Sequence, residues 1–104
     1  MQVDLTSAHS VSSVLTQGSS FTESWVTSYS IDYSTENSDP PESTILDTES
    51  GAPEVFAGNV DRTSIVENVF ESVIIARYVR LNIITKQSHP AMRWGLKGCP
   101  VGEY

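Results

Sequence analysis

The stretch Arg77–Cys99, RYVRLNIITKQSHPAMRWGLKGC, carries two alternating segments on either side of a polar turn. Apolar residues that recur with a period of two lie on one face of a β-strand, and the polar residues between them lie on the other. The apolar set is Val79, Leu81 and Ile83 in the first segment, and Met92, Trp94 and Leu96 in the second. The stretch therefore predicts two half-buried strands joined by the turn Thr85–Ala91.

The same alternation recurs upstream, and helical periodicity is nearly absent from the chain. In SWVTSYSIDYS it places Trp25, Tyr29, Ile31 and Tyr33 on one face. Shorter strand candidates are Gln2–Leu5, Ser10–Thr16, Glu54–Phe56 and Ser64–Phe70. Many short strands separated by turn-rich segments predict an antiparallel β-sandwich or barrel. We interpret residues 1–104 as a single all-β domain.

Composition and charge exclude several classes of partner and of segment. With 13 acidic and 6 basic side chains the formal net charge is −7, so the surface repels phosphate backbones and nucleic acid is not expected as a partner. The charge also argues against membrane binding through a polybasic patch. No apolar run approaches the roughly 18 residues of a membrane span. The opening residues predict a strand rather than a signal peptide.

No catalytic or metal-binding pattern appears in the sequence. His9 and His89 are far apart in sequence and neither belongs to a cluster of ligands, whereas a zinc site needs three or four. The acidic residues of the segment 36–49 lack the spacing of a calcium loop, which favours a solvated loop; they are Glu36, Asp39, Glu42, Asp47 and Glu49. A nucleophilic pairing of Cys99 with either histidine is conceivable, but nothing in the sequence places them together. We expect no enzymatic activity, no metal and no cofactor.

Two loops offer candidate binding residues. Phe21 is an apolar residue inside the polar loop QGSSFTES, where it is either a recognition anchor or a cover for the mouth of the barrel. The turn Thr85–Ala91 presents hydrogen-bonding side chains, although by itself the turn is better explained by simple solvation. For Arg77 and Arg80 the sequence favours ion pairs with acids such as Asp4 or Asp32. For Arg93, which follows the turn, pairing and ligand contact both stay open.

Seven segments in register carry a resemblance to a known family. They are QVDL (2–5), VLTQG (14–18), WVTSYSIDYS (25–34), VFAGNVD (55–61), NVF (68–70), ARYVRL (76–81) and MRWGLKGC (92–99). Together they resemble the discoidin domain, also called the coagulation factor V/VIII type C domain, over almost the whole chain. The resemblance implies an eight-stranded jelly-roll-like β-sandwich of the galactose-binding type. It also implies a non-catalytic extracellular module for cell adhesion, with loops at one end of the barrel that bind protein, carbohydrate or anionic phospholipid.

The resemblance also implies where a ligand would bind. The loop after TQG and the turn before MRWGL would lie at the same end of the barrel. The predicted ligand-binding residues are therefore Ser19, Ser20, Phe21, Thr22, Lys86, Gln87, Ser88, His89 and Arg93. An extracellular protein or a cell-surface glycan is the expected partner. The alternatives are a phosphatidylserine membrane reached by the Phe21 loop, a lectin site in which Gln87, His89 and Arg93 hold sugar hydroxyls, and a structural repeat with no ligand.

The chain departs from the family pattern in ways that affect these expectations. It resembles the C-terminal two-thirds of such a domain and lacks the first strands, so the family disulfide would leave Cys99 without a partner in this chain. Lys86 and Gln87 stand where many members carry a tryptophan, and Gly95 stands where an acid is usual. The aromatic loss weakens the case for phospholipid insertion. An open sheet edge and a missing bridge predict marginal stability or edge pairing between copies.

Overall fold

The fold consists of six antiparallel strands and is given by a computed structural model that describes residues 2–36, 41–89 and 92–101. The strands are β1 (Gln2–Gln17), β2 (Trp25–Ser34), β3 (Ser43–Thr44), β4 (Phe56–Ala57), β5 (Val66–Gln87) and β6 (Arg93–Pro100). They lie in the order β3-β2-β5-β1-β6, and β4 also pairs with β2. The described residues contain no helix, which confirms the all-β prediction.

The 22-residue strand β5 connects the two halves of the sheet. Its residues Val66–Arg80 pair with β1, and its residues Tyr78–Gln87 pair with β2. Ala76 is buried before this overlap, Val79 is buried within it, and Leu81 is buried after it. Buried positions therefore change from even to odd numbers, so both halves of the strand face one core. The separately predicted strand Arg77–Ile83 lies within this element, and the predicted strand Ser64–Phe70 overlaps its start, which is at Val66.

Strand β1 likewise joins two predicted strands, Gln2–Leu5 and Ser10–Thr16, through an irregular segment. Its register with β5 shifts between Asp4 and His9, and again between Val11 and Ser13. Thr6 lies in the first irregularity with a φ of 69°. Left-handed backbone is unfavourable for a β-branched residue, and the amide of Thr6 is held there by the Oδ1 atom of Asp4 at 2.8 Å.

The core is formed by apolar side chains from β1, β2, β4 and β5. Its members are Val11, Val14, Val26, Tyr29, Ile31, Phe56, Phe70, Ile74, Ala76, Val79 and Leu81. The ring of Phe56 stacks on Tyr29, with centroids 5.5 Å apart, and is tilted against Phe70 at 5.8 Å. Burial raises the pKa of the Tyr29 hydroxyl, which accepts a hydrogen bond from Nδ2 of Asn68 at 3.0 Å.

Alternation predicted the core face of the later strands correctly. Ile83, Met92, Trp94 and Leu96 are partly buried and pack against the core, as expected. The prediction for the start of β2 was wrong: Val26 is 1% exposed, whereas Trp25 is only half-buried. The register of β2 on β5 shifts at Val26, Ser28 and Tyr29, so the side chains before these irregularities have the opposite phase.

Arginine ion pairs lie on the outer face, as the sequence indicated for Arg77. Its Nε atom is 2.9 Å from Oδ1 of Asp4, and its guanidinium lies 4.9 Å from the centre of the Tyr78 ring. Arg80 donates to Oε1 of Gln2, at 3.2 Å from Nη2. Because the guanidinium donates hydrogen bonds to both carboxylate oxygens of Asp4, it holds the pKa of that group below its ordinary value of 3.8.

Candidate functional site

The two loops that the sequence singled out lie at the same end of the sheet. Trp25, directly after the first loop, pairs with Gln87, and Val26 pairs with Lys86. Gln17, directly before that loop, pairs with Arg93, the first residue of β6. The ends of β1, β2, β5 and β6 therefore converge here. We call this region, formed by residues 18–24, 58–64 and 86–89 together with Arg93, the loop end.

The first loop, Gly18–Ser24, is closed by its own hydrogen bonds. The amide of Ser19 donates to the carbonyl of Ser24 at 2.9 Å. The hydroxyl oxygen of Ser19 accepts hydrogen bonds from the amides of Phe21 and Thr22, at 3.1 and 3.2 Å. Phe21 occupies the tip with 93% of its side chain exposed, so it does not cover the core. The loop holds a large apolar side chain in water on a defined backbone.

The last two residues of β5 and the turn that follows them present polar side chains to solvent. Lys86, Gln87, Ser88 and His89 are all exposed, and their side chains make no hydrogen bond to any other described residue. Ser88 has a φ of 67°, in the left-handed region that a serine adopts only at some cost. The predicted turn extends to Ala91, but residues 90 and 91 are outside the described part of the chain. The side chains of 86–89 are available for contacts with another molecule.

Arg93 connects the loops through backbone carbonyls. Its Nε atom donates to the carbonyl oxygen of Gly18 at 2.9 Å, and its Nη2 atom donates to the carbonyl oxygen of Arg62 at 3.3 Å. These bonds give Arg93 a positioning role at the loop end. A direct contact between Arg93 and a ligand stays a prediction.

A third loop, Gly58–Ser64, belongs to the same end and was not recognised as a binding element in the sequence. Arg62 donates from Nη1 to the carbonyl oxygen of Ser20 at 3.3 Å, and from Nε to Oε1 of Glu23 at 3.1 Å. Val60 on this loop is 83% exposed. No local sequence pattern connects Arg62 with Ser20 and Glu23, which lie about 40 positions upstream.

Asn59 fixes the base of the third loop and is 1% exposed. Its Oδ1 atom accepts from the hydroxyl of Thr16 at 2.8 Å, and its Nδ2 atom donates to the carbonyls of Thr16 and Ser64 at 3.1 and 2.8 Å. Asp61 closes the loop by accepting from the amide and the hydroxyl of Ser64 and from the amide of Thr63. Those hydrogen bonds hold the pKa of Asp61 below its ordinary value of 3.8.

Cys99 lies away from the loop end, near the other end of β6. It pairs with Ser10 of β1, its side chain is exposed, and its thiol is free. A Cβ atom on the preceding Gly98 would lie 2.2 Å from the carbonyl oxygen of Ser10, so the backbones of β1 and β6 approach closely there. The predicted family disulfide has no second cysteine in this sequence.

The acidic and histidine side chains of the described residues are not clustered around a common point. Within residues 2–36, 41–89 and 92–101 no group of three or more His, Cys, Asp or Glu side chains is arranged to hold a metal ion. Of the acidic segment noted in the sequence, Asp39 is not among the described residues. Glu42 accepts from the amides of Thr35 and Glu36, which lowers its pKa. No helix long and apolar enough to cross a membrane occurs in the described structure.

Comparison with known proteins agrees with the all-β fold. The family model of the F5/8 type C domain matches residues 1–96. The chain belongs to the F5/8 type C domain family. It is 35% identical over 99 residues to retinoschisin of Takifugu rubripes and 34% identical over 99 residues to human retinoschisin. It is also 33% identical over 108 residues to neuropilin-1 of Xenopus laevis.

Each comparison covers almost all of this F5/8 type C chain but a minor part of the relative. The matches cover 95% of the chain and 35% and 43% of the two retinoschisins, and 100% of the chain and 11% of the neuropilin. The solved structure of wild-type discoidin II from Dictyostelium discoideum superposes with a TM-score of 0.76 at 29% identity, over 99% of this chain and 38% of that one. The chain thus spans less than half the length of these relatives.

Proposed function

We propose that this F5/8 type C domain is a non-catalytic extracellular module for adhesion that binds a protein or glycan ligand through its loop end. The observation that carries the proposal is Phe21, an aromatic side chain 93% exposed at the tip of a loop held by hydrogen bonds from within and from Arg62 and Arg93. A rigid aromatic anchor loses little conformational freedom on binding, so its burial against a partner is retained as affinity.

The neighbouring polar residues supply the specificity that an apolar anchor lacks. Lys86, Gln87, Ser88 and His89 are exposed beside the start of β2, on the same end as Phe21. They offer an ammonium group, an amide, a hydroxyl and an imidazole, which suit the hydroxyl and carbonyl groups of glycans and proteins. Ser19, Ser20 and Thr22 add to this surface, although the hydroxyl of Ser19 already accepts two hydrogen bonds within its loop.

A phosphatidylserine membrane is the alternative ligand, favoured by the exposed Phe21 and Val60. Insertion of apolar tips into a bilayer is stabilised when basic residues surround them and meet anionic headgroups. The chain carries a net charge of −7, and Arg62 at this end is paired with Glu23. Charge therefore favours protein and glycan over anionic lipid.

In the experiment, the whole chain in solution is tested for binding to three immobilised probes. The probes are collagen, an array of galactose and fucose glycans, and vesicles with and without phosphatidylserine. Saturable binding to collagen or a glycan, reduced at least about tenfold by Phe21→Ala, is expected from the loss of a central anchor. Val69→Ala is the matched control because Val69 is also exposed, at 71%, but lies on β5 opposite Ser13.

The outcomes separate the alternatives. Strong binding to phosphatidylserine vesicles that Phe21→Ala abolishes would replace the proposal with a membrane module. A glycan that binds in a manner dependent on Gln87 and His89 would identify the lectin alternative. If the chain binds none of the three probes, the proposal is contradicted and the alternative of a structural repeat with no ligand is left.

A further inference from the structure

We infer a second interaction surface, a groove between the hairpin 45–54 and strand β5, that fits an arginine-bearing apolar segment of a partner protein. The groove encloses about 270 Å³. Its apolar walls include Tyr33, Ile45, Leu46, Val73 and Ile74, and its polar rim includes Glu54 and Glu71. The surface is independent of the function proposed for the loop end.

The groove lies far from the loop end along the same strand. Tyr33 is eight residues beyond Trp25 in β2. At about 3.3 Å per residue this separates the two by roughly 25 Å. Tyr33 pairs with Ser43 of β3 on one side and Val79 of β5 on the other. A ligand at the Phe21 loop and a ligand in the groove can therefore be distinguished by the residues that they perturb.

The wall of the groove is held in place by backbone hydrogen bonds. Ile45 donates to the carbonyl of Ile31 at 3.0 Å and accepts from the amide of Glu54 at 2.9 Å. Leu46 forms a bridge with Pro53, and Asp47 donates to Ala52 at 2.8 Å. These contacts tie the hairpin to the sheet, so the groove exists before a ligand arrives and binding needs little ordering of the chain.

Apolar surface remains exposed inside this preformed groove. Leu46 is 51% exposed and Val73 is 54% exposed, while Ile74 below them is 7% exposed. Tyr33 and Ile45 are partly buried and pack against the core. The groove thus continues from the core to the surface, and burying its exposed walls against a partner is favourable.

The charge of the groove selects the occupant. Glu54 and Glu71 line it, and Asp47 lies close by on the hairpin. Among the residues that the structure describes, no basic side chain forms an ion pair with Glu54, Glu71 or Asp47. Burial raises the pKa of Glu54, and the charges of Asp47 and Glu71 raise it further.

An arginine side chain complements both the apolar walls and the acidic rim of the groove. Its methylene stem packs along apolar walls such as Leu46 and Val73, while its guanidinium reaches carboxylates at the rim. The planar guanidinium also binds carboxylates through two hydrogen bonds, which an ammonium cannot match. A bare divalent cation fits less well, because the described His, Cys, Asp and Glu residues form no metal-binding group.

The test is an NMR titration of the whole chain with the peptide acetyl-Leu-Arg-Leu-amide and with the same peptide carrying neutral citrulline in place of arginine. We expect saturable shifts of the amides of Leu46, Thr48 and Val73 with the arginine peptide, and binding at least about fivefold weaker with citrulline. Glu54→Gln combined with Glu71→Gln should weaken the arginine peptide by a similar factor. Glu49→Gln, on the same hairpin outside the groove lining, should leave its affinity unchanged.

Three results would overturn the inference: no saturable shift in the groove, equal affinity for both peptides, or equal affinity of the wild type and the double variant. Should the double variant fail to fold, the affinity of the wild type for the arginine peptide is measured in about 0.5 M sodium chloride. Screening at that ionic strength weakens exposed ion pairs, so the affinity should fall. Binding that salt leaves unchanged would then contradict the inference. Shifts confined to residues 18–24 would assign the peptide to the loop end instead.

Discussion

The guanidinium of Arg93 donates from Nε to the carbonyl oxygen of Gly18 at 2.9 Å and from Nη2 to the carbonyl oxygen of Arg62 at 3.3 Å. One side chain of β6 therefore joins the Phe21 loop to the Val60 loop. Gly18 allows this arrangement, since a Cβ atom there would lie 2.4 Å from the Cα atom of Arg62. The position of Phe21 therefore depends on Arg93 and Gly18, neither of which needs to touch a ligand.

Replacing Arg93 by alanine should loosen the Phe21 loop more than it destabilises the domain. Two hydrogen bonds to carbonyls are lost, one partly buried and one exposed, at a cost of about 1 kcal/mol in the free energy of unfolding. Hydrogen exchange of the Ser19 amide, which donates to Ser24 across the base of the loop, should accelerate. Lys86→Ala at the same end is the control, because Lys86 is exposed and makes no side-chain hydrogen bond to the described residues. Unchanged exchange in Arg93→Ala would show that the loop is held without this residue.

Asn59→Ala should be among the most destabilising single changes at the loop end. The substitution leaves the carbonyls of Thr16 and Ser64 and the hydroxyl of Thr16 without the partners they now have, in a site 1% exposed. Unsatisfied buried polar groups cost about 1–3 kcal/mol each, so we expect a loss of about 3 kcal/mol in urea unfolding. Gln87→Ala, an exposed change nearby, should alter stability by less than about 0.5 kcal/mol. A small loss in Asn59→Ala would mean that water replaces the amide.

The sequence predicted the regular part of the fold because its signal is local. Alternation identified Val79 and Leu81 as core residues, and both are at most 1% exposed. It failed at Trp25, where irregularities at Val26, Ser28 and Tyr29 shift the phase of β2. Such shifts depend on the partner strand, so alternation within one strand does not reveal them.

The candidate site was predicted only in part for the same reason. The resemblance supplied the two loops, and registers such as Trp25 with Gln87 and Gln17 with Arg93 bring them to one end. The roles of Arg62 and Asn59 depend on contacts with residues about 40 positions away in sequence, for which the chain carries no local pattern. The bonds of Arg93 to Gly18 and Arg62 are likewise visible only once β1 and β6 are paired.

Gly98 and Gly95 form a matched pair on β6 that tests the close packing of this strand. A Cβ atom at Gly98 would lie 2.2 Å from the carbonyl oxygen of Ser10 and 3.0 Å from the Cα atom of Val11, whereas one at Gly95 meets nothing within 4 Å. Gly98→Ala must push β6 away from β1, and we expect a loss of about 2–3 kcal/mol. Gly95→Ala should be neutral or slightly stabilising in the same chemical denaturation experiment. Equal effects of the two substitutions would contradict the observed approach of the strands.

Thr6 is a position where stability can be gained. Its φ of 69° is unfavourable for a β-branched residue but accessible to asparagine and glycine. Thr6→Asn should therefore raise the free energy of unfolding by about 1 kcal/mol. Thr44→Asn is the comparison, since Thr44 lies in a regular strand and donates to Oδ1 of Asp32 at 2.7 Å. A loss of stability in Thr6→Asn would indicate that the irregular segment of β1 depends on the threonine itself.

The pair Asp4–Arg77 should make the stability of the domain depend on pH in the acid range. Arg77 and the amide of Thr6 hold the folded pKa of Asp4 below 3.8, so the folded state favours the carboxylate. The stabilisation is then fully present above the unfolded-state pKa of Asp4, and it is lost as the pH falls through the folded-state pKa. Asp4→Asn should remove it, so the difference between wild type and variant in thermal melts should be larger at pH 6 than at pH 2.

Glu54 should change the stability of the domain with pH in the opposite direction to Asp4, so the two contributions can be separated. Burial and the charges of Asp47 and Glu71 raise its folded pKa above 4.5, so the folded state favours the neutral acid. The stabilisation that the neutral acid gives to the folded state is complete below pH 4.5, and it disappears as the pH rises through the folded-state pKa of Glu54. Glu54→Gln should therefore melt at a higher temperature than the wild type at pH 7, and the two should converge as the pH falls below 4. A variant that melts lower than the wild type at pH 7 would show that the carboxylate of Glu54 is stabilised in the groove rather than destabilised.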